Sequence, residues 1–404
     1  MNTSSSHGPR RGNYSSFRAR RSFNKRGPSR RGGFRGGSKI NINRFINKAT
    51  EDATPEVPHV PKHTFNDFVI NSTLKATIAE RGFTLPTPIQ DAIIPHILFN
   101  KDVVGLANTG TGKTAAFLIP LIHQAMESRQ GKSLIIVPTR ELANQINDEF
   151  RAFAKGAGVY SVVCVGGSSM YRQMSDLRRV HQFVIGTPGR LKDLIERKAI
   201  NLSHFTKVVL DEADRMLDMG FIGDMKFIIH SMPAQRQGLF FSATLSPSIE
   251  GLIKDFLRSP VMVSVKTRET SKNIEQDVVR YERDKKFDKL CELLAGPDFK
   301  KVIIFGQMKH AVEKLSVDLI KKGFKADSLH GNKSQNHRQR TLSAFKSDGV
   351  QILVATDVAA RGLDIPDISH VINYDLPQTE DDYTHRIGRT GRGSKKGKAL
   401  TFIE

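Results

Sequence analysis

The chain has 404 residues, a hydrophobic fraction of 38% and a formal net charge of +21. That length exceeds one ordinary core and suggests two or three domains of roughly 150 residues each. No run approaches the roughly 20 apolar residues of a bilayer span, and the polar, arginine-rich N-terminus excludes a secretory signal, so the protein reads as soluble and not membrane-bound.

Residues 1–60 read as a disordered Arg/Gly-rich tail. Residues 1–50 hold ten Arg and three Lys and no acid, so thirteen of the net charges sit there. S-F-R-A-R-R-S-F and R-R-G-G-F-R-G-G have almost no aliphatic periodicity. Arginine supplies phosphate contacts, and Tyr14, Phe17, Phe23 and Phe34 can stack on bases, which favours single-stranded nucleic acid. A solubilising tail or localisation signal is the competing reading.

From residue 61 the texture changes. Short apolar runs, D-V-V-G-L, S-L-I-I-V, V-Y-S-V-V-C-V, Q-F-V-I-G, K-V-V-L and G-L-F-F-S-A-T, alternate with helical segments. Continuous apolar strands separated by helices predict a parallel sheet covered on both faces. This first α/β domain spans 61–267, a polar linker 268–276, and a second α/β domain 277–404, where the pattern returns with V-I-I-F, Q-I-L-V-A-T and H-V-I-N-Y. Two such domains in tandem form a cleft, a common place for ligands. Cys164 and Cys291 lie far apart with no Cys or His at ligand spacing, so neither a zinc site nor a disulfide is indicated and a reducing cytoplasm fits.

The sharpest local signal is A-N-T-G-T-G-K-T, Ala107 to Thr114. It follows an apolar run and precedes A-A-F-L-I-P-L-I, the strand, loop and helix context of a phosphate loop. Gly110 and Gly112 let backbone N–H groups converge on phosphate oxygens, flanked by Thr109 and Thr111, and the helix N-terminus adds its positive end. Lys113 then neutralises the β and γ phosphates of a nucleoside triphosphate, and the Thr114 hydroxyl is a ligand for Mg²⁺. The general pattern has Gly where Ala107 stands.

V-V-L-D-E-A-D-R-M-L, Val208 to Leu217, sets three acids directly after a buried-strand pattern. A solvated turn is the ordinary fate of such a cluster. Beside a phosphate loop, Asp211 becomes the metal carboxylate and Glu212 the group that orients or deprotonates the attacking water. Asp214 reads as a structural or coupling contact.

With D-E-A-D on the page, the sequence from Phe65 to Glu404 resembles a DEAD-box RNA helicase of helicase superfamily 2. G-F-T-L-P-T-P-I-Q, Gly82 to Gln90, is similar to the Q motif, which implies that Gln90 reads adenine with Phe65 and Phe83 as aromatic neighbours; Ala107 fits this family's phosphate loop. P-T-R-E-L-A at Pro138 to Ala143, Gly166 with Gly167, and T-P-G-R at Thr187 to Arg190 resemble the RNA-gripping motifs, and S-A-T, Ser242 to Thr244, the coupling motif. V-I-I-F, Gln335 with Arg338, A-T-D-V-A-A-R-G-L-D at Ala355 to Asp364, and H-R-I-G-R-T-G-R at His385 to Arg392 follow in order. The resemblance implies two RecA-like domains, ATP with Mg²⁺, nucleotide contact at Asp364, coupling at Ser242, Thr244 and His385, and RNA contact at Gln335. Members usually continue past G-K-A-L-T-F-I-E with a further helix, so the stop at Glu404 is expected to mark a short variant or a truncation.

Residue chemistry runs beside the resemblance. Arg389 and Arg392, three apart, are candidates for arginine fingers across the cleft, an effect worth on the order of a thousandfold in rate. Two surface arginines in a basic turn would be the better reading without the phosphate loop. Because loop and fingers lie on different domains, hydrolysis should need closure, which RNA bound across both would favour. Thr139, Arg140, Gly167, Thr187, Gly189, Arg190, Thr356 and Gly362 offer hydroxyls, N–H groups and cations suited to phosphate, so RNA should bind with little sequence preference. The expected activity is ATP-dependent unwinding or remodelling of short RNA duplexes and RNA–protein complexes by a monomer. An RNA chaperone or ATP-gated clamp driven by the tail is the alternative, and a DNA helicase with a similar core a third.

Overall fold

The computed structural model describes residues 60–108, 110–128, 131–265, 274–360, 365–391 and 396–404, all within one compact unit, Ile40–Glu404. The tail through residue 59 and the linker segment 266–273 lie outside the described residues.

Two parallel sheets stand in tandem, each flanked by helices. The first takes β1 (Val103–Ala107), β2 (Lys132–Ile136), β3 (Ser161–Cys164), β4 (Phe183–Gly186), β5 (Phe205–Leu210), β6 (Gln237–Ser242) and β7 (Val261–Val265), in the order β3-β4-β2-β5-β6-β1-β7. The second takes β8 (Ile274–Arg280), β9 (Val302–Phe305), β10 (Ala326–Leu329), β11 (Ile352–Ala355), β12 (His370–Asn373) and β13 (Gly397–Ile403), in the order β10-β11-β9-β12-β13-β8. This is the RecA-like pair that the resemblance implied.

Successive strand side chains alternate between faces, so a doubly covered strand must be apolar at every position. Val103 and Ala107 enter one core of the first sheet, while Val104 and Leu106 enter the core on the opposite face. Likewise Ile303 and Phe305 of β9 pack on one side of the second sheet, and Val302 and Ile304 on the other. Those runs were readable for that reason.

The strands missed by pattern are mostly at the edges. β7 and β8 alternate between more and less exposed positions, and β10 carries Asp327 and Ser328, the latter bonded to Glu313. Residues 274–276, read above as linker, open β8, which pairs with β13 along its whole length. Ile274 and Gln276 turn inward while Glu275 stays out, so a polar-looking stretch is half a core strand.

Parallel strands deliver their carboxyl ends to one edge, where α/β proteins bind ligands. β1 ends in the phosphate loop and β5 ends at Asp211, with only β6 between them.

His370, at the start of β12, is buried and stacked on Phe299 with 4.0 Å between ring centroids. Burial, helped by the charge of Lys398, pushes its pKa down to about 4. The unfolded chain therefore binds a proton that the fold refuses, and stability falls as pH drops from about 6.5 towards 4. A His370→Gln variant should lose less stability than the parent across that window, as read by urea unfolding at each pH.

Candidate functional site

The phosphate loop is built by backbone conformation. Gly110 and Gly112 have φ of 85° and 92°, and Gly112 opens the helix Lys113–Glu127. Lys113 is buried and donates from Nζ to the Ala107 carbonyl at 2.8 Å, which folds it back over the loop. Gln90, 1% exposed, braces the other side: its Oε1 accepts from the Thr87 N–H at 2.9 Å and its Nε2 donates to the Gly112 carbonyl at 3.1 Å. Thr87 Oγ1 donates to the Thr111 carbonyl, and Thr111 Oγ1 to that of Asn108, both at 2.9 Å.

Across a cavity of about 220 Å³ the loop faces β5. Phe83, Gln90, Gly110, Gly112, Lys113, Thr114, Asp211 and Glu212 all line it, as do Gln145 and Glu149 from the helix Arg140–Phe153. Asp211 is 3% exposed, and burial pushes its carboxyl up to about 6; Lys113 opposes that rise and Glu212 adds to it. Glu212 follows in the left-handed region, φ 51° and ψ 51°, a strained backbone for a side chain of its size and one found at functional sites. Asp214 turns away: its Oδ2 accepts from the Ala243 N–H at 3.0 Å and the Thr244 N–H at 3.1 Å, while Ser242 Oγ donates to the Thr244 carbonyl. D-E-A-D and S-A-T are thus one hydrogen-bonded unit.

The residues also test the fit of a divalent cation. Asp211 and Thr114 offer hard oxygen donors, and among the described residues no group of three or more His, Cys, Asp or Glu could hold a metal alone. A donor set this small suits Mg²⁺ that arrives with phosphate oxygens and water.

A second cavity, about 630 Å³, opens between the two sheets' domains. Thr139, Arg140, Thr187, Gly189 and Arg190 line one wall; Thr356, Lys309, Lys333 and Arg338 line the other. Arg140 is pulled down in pKa by burial, opposed by Glu141 and reinforced by the charges of Arg338 and Arg190. Arg338 crosses the gap to Glu141 with Nε–Oε1 of 2.8 Å. Gly167, with φ 73°, lies beneath Arg140: a Cβ there would overlap the guanidinium.

A DEAD/DEAH box helicase model matches residues 87–252 and a helicase conserved C-terminal domain model residues 285–394, more than half of the chain between them. The chain belongs to the DEAD-box helicases of superfamily 2. The ATP-dependent RNA helicase CshA of Listeria monocytogenes is 44% identical over 342 residues, 84% of this chain and 66% of that protein's length. S. cerevisiae Dbp5 bound to RNA and ADP BeF3 matches with a TM-score of 0.77 at 30% identity, covering 84% of this chain and 89% of that one. Mss116p bound to ssRNA and AMP-PNP matches with a TM-score of 0.76 at 30% identity, over 85% and 77% of the two chains.

Several expected site residues of this helicase fall elsewhere. Phe65 is buried beneath Phe83, edge-on at 6.0 Å, and of the two only Phe83 reaches the 220 Å³ cavity, because the chain before the Q motif is spent on the core. Gln335 does not line the large cavity but a crevice beside it with Gln339, Asn144 and Asp148, and Glu141 lines both. Arg389, 4% exposed, donates from Nε to the His385 carbonyl and does not line the 220 Å³ cavity. Thr109, Gly362, Asp364 and Arg392 lie outside the described residues. Pattern reading also passed over residues that matter. Gln145 and Glu149 share a helix face with Glu141 at four-residue spacing, a signal that was available. Arg386, 1% exposed, grips Asp357 through two bonds of 2.6 and 2.8 Å, a fold-dependent pairing that sequence spacing does not announce.

A side chain at Gly112 would put Cβ 2.5 Å from Gln90 Nε2 in a backbone conformation that L residues avoid. Gly112→Ala in this helicase should cost about 1–3 kcal/mol, seen as a lowered thermal midpoint, and weaken binding of a fluorescent ATP analogue.

Proposed function

We propose that this helicase binds RNA with little sequence preference and couples RNA-stimulated ATP hydrolysis to local opening of short duplexes or removal of bound protein. The observation that carries the reading is the 630 Å³ cavity with cationic and hydroxyl residues on both walls, Thr139, Arg140 and Arg190 facing Thr356, Lys333 and Arg338. Such groups suit a sugar–phosphate strand and leave base edges unread. The relatives, an ATP-dependent RNA helicase and two proteins solved with RNA and a nucleotide analogue, support the same substrates. Domain limits near 61–265 and 274–404 fit this scheme.

In the proposed cycle Lys113, Gly110, Gly112 and Thr114 hold the triphosphate and Gln90 reads adenine while bracing the loop. Mg²⁺, held by Asp211 and Thr114, would neutralise charge on the phosphates. Glu212 takes the proton of the attacking water, and Asp214, Ser242 and Thr244 transmit the change along their shared bonds. Arg389, Arg392, Asp364 and His385 complete the site as the second domain closes. RNA in the large cavity favours that closed state, and Gln335 and Gly362 would add contacts to the strand beyond it. Since one chain supplies both walls, a monomer suffices. Two free cysteines suit the cytoplasm, and the basic tail adds RNA affinity.

Steady-state hydrolysis should be compared without nucleic acid, with single-stranded RNA and with DNA of the same sequence. Stimulation by RNA alone supports the reading; equal rates in all three overturn the coupling. Glu212→Gln should bind ATP and RNA yet lower kcat by about a hundredfold or more, and wild-type turnover in that variant would remove Glu212 as the base. Gly167→Ala, by displacing Arg140, should weaken RNA binding by about tenfold in an anisotropy titration while leaving ATP affinity in place.

A further inference from the structure

We infer that Arg215 is a positioning residue that makes the setting of Glu212 depend on the second domain, and so on RNA; this rests on reading Glu212 as the base. Arg215 belongs to the helix Ala213–Asp218, immediately after the acidic cluster, and is 6% exposed. Its Nη1 donates to Glu212 Oε2 at 3.1 Å. Its Nη2 donates to the Val358 carbonyl at 2.7 Å, across the gap between domains. A guanidinium is a rigid planar fork, so the position of one nitrogen fixes that of the other.

The acceptor is equally well fixed. Val358 sits in a single helical turn, Asp357–Ala360, where the Thr356 carbonyl accepts from the Ala359 and Ala360 N–H groups at 3.0 and 2.9 Å. Arg386 clamps Asp357 to the rest of the second domain, donating from Nη1 to the Asn373 side chain and the Asp375 carbonyl as well. That turn therefore moves with its sheet. It also gives Thr356, Val358 and Ala359 to the large cavity. A strand seated there holds the turn against the first domain, and the Val358 carbonyl then sets the fork that holds Glu212.

When the second domain withdraws, the bond from Nη2 to the Val358 carbonyl is broken and the fork is no longer set from across the gap. The carboxylate is released with it. Asp214 differs in kind, since its bonds from Ala243 and Thr244 lie wholly within the first domain.

The test uses the full chain with Arg215→Met, which keeps the buried stem and removes the donors, and measures hydrolysis with and without saturating single-stranded RNA. The expected result is a fall of about tenfold or more in the ratio of RNA-stimulated to RNA-free kcat, with KM for ATP unchanged. An unchanged ratio overturns the inference, and so does an equal fall in both rates, which would mark a residue that only supports the first domain. If thermal melting shows that Arg215→Met does not fold, Arg215→Lys decides by the same ratio, because one ammonium replaces a two-pronged fork. Glu212→Gln run alongside tests the underlying reading separately: normal turnover there removes the base, whereas an inert Glu212→Gln with an unchanged Arg215→Met ratio removes only the relay.

Discussion

Asp211 is a carboxylate taken almost wholly out of water at the carboxyl end of a central strand, and much of the first domain is arranged around that fact. Burial raises its pKa to about 6, and the nearby Lys113 ammonium acts against that rise. A buried charge of this kind is costly unless paired. Lys113 is itself held by the Ala107 carbonyl, and the loop above it by Gln90 and Thr87. Asp211 thus shares one cavity with Lys113 and Thr114 of the loop.

That constraint spreads outward through the same four residues. Glu212 adopts a left-handed backbone, which bends the chain from strand into helix and lets Asp214 reach the S-A-T segment. Arg215, one residue on, leaves the first domain for the Val358 carbonyl. A cluster of charges that looks redundant as sequence is divided between the cavity lining, the neighbouring strand and the opposite domain.

The second cavity follows another logic. Burial disfavours the charge of Arg140, the nearby Arg338 and Arg190 add to that, and Glu141 offsets part of it. Concentrated positive charge with little to read a base favours binding to any backbone of the right shape. The Arg338–Glu141 pair also spans the domains, so closure and the shape of the basic cavity are linked.

Sequence alone determined the two α/β domains and the glycine-built loop between β1 and its helix, because both depend on local rules. A buried parallel strand must be apolar throughout, and a phosphate loop needs glycine at fixed spacing between strand and helix. Edge strands such as β8 escaped, since half their residues face solvent and look like linker. Tertiary structure alone decided that Phe83 and not Phe65 reaches the smaller cavity, that Gln335 lines a crevice beside Glu141 and not the large cavity, and that Arg389 is outside the smaller cavity's lining. The Arg215–Val358 contact joins residues 143 apart in sequence, and Arg338–Glu141 joins residues 197 apart. Such pairings are set by how two sheets meet, a property of the packed chain that no spacing along it encodes.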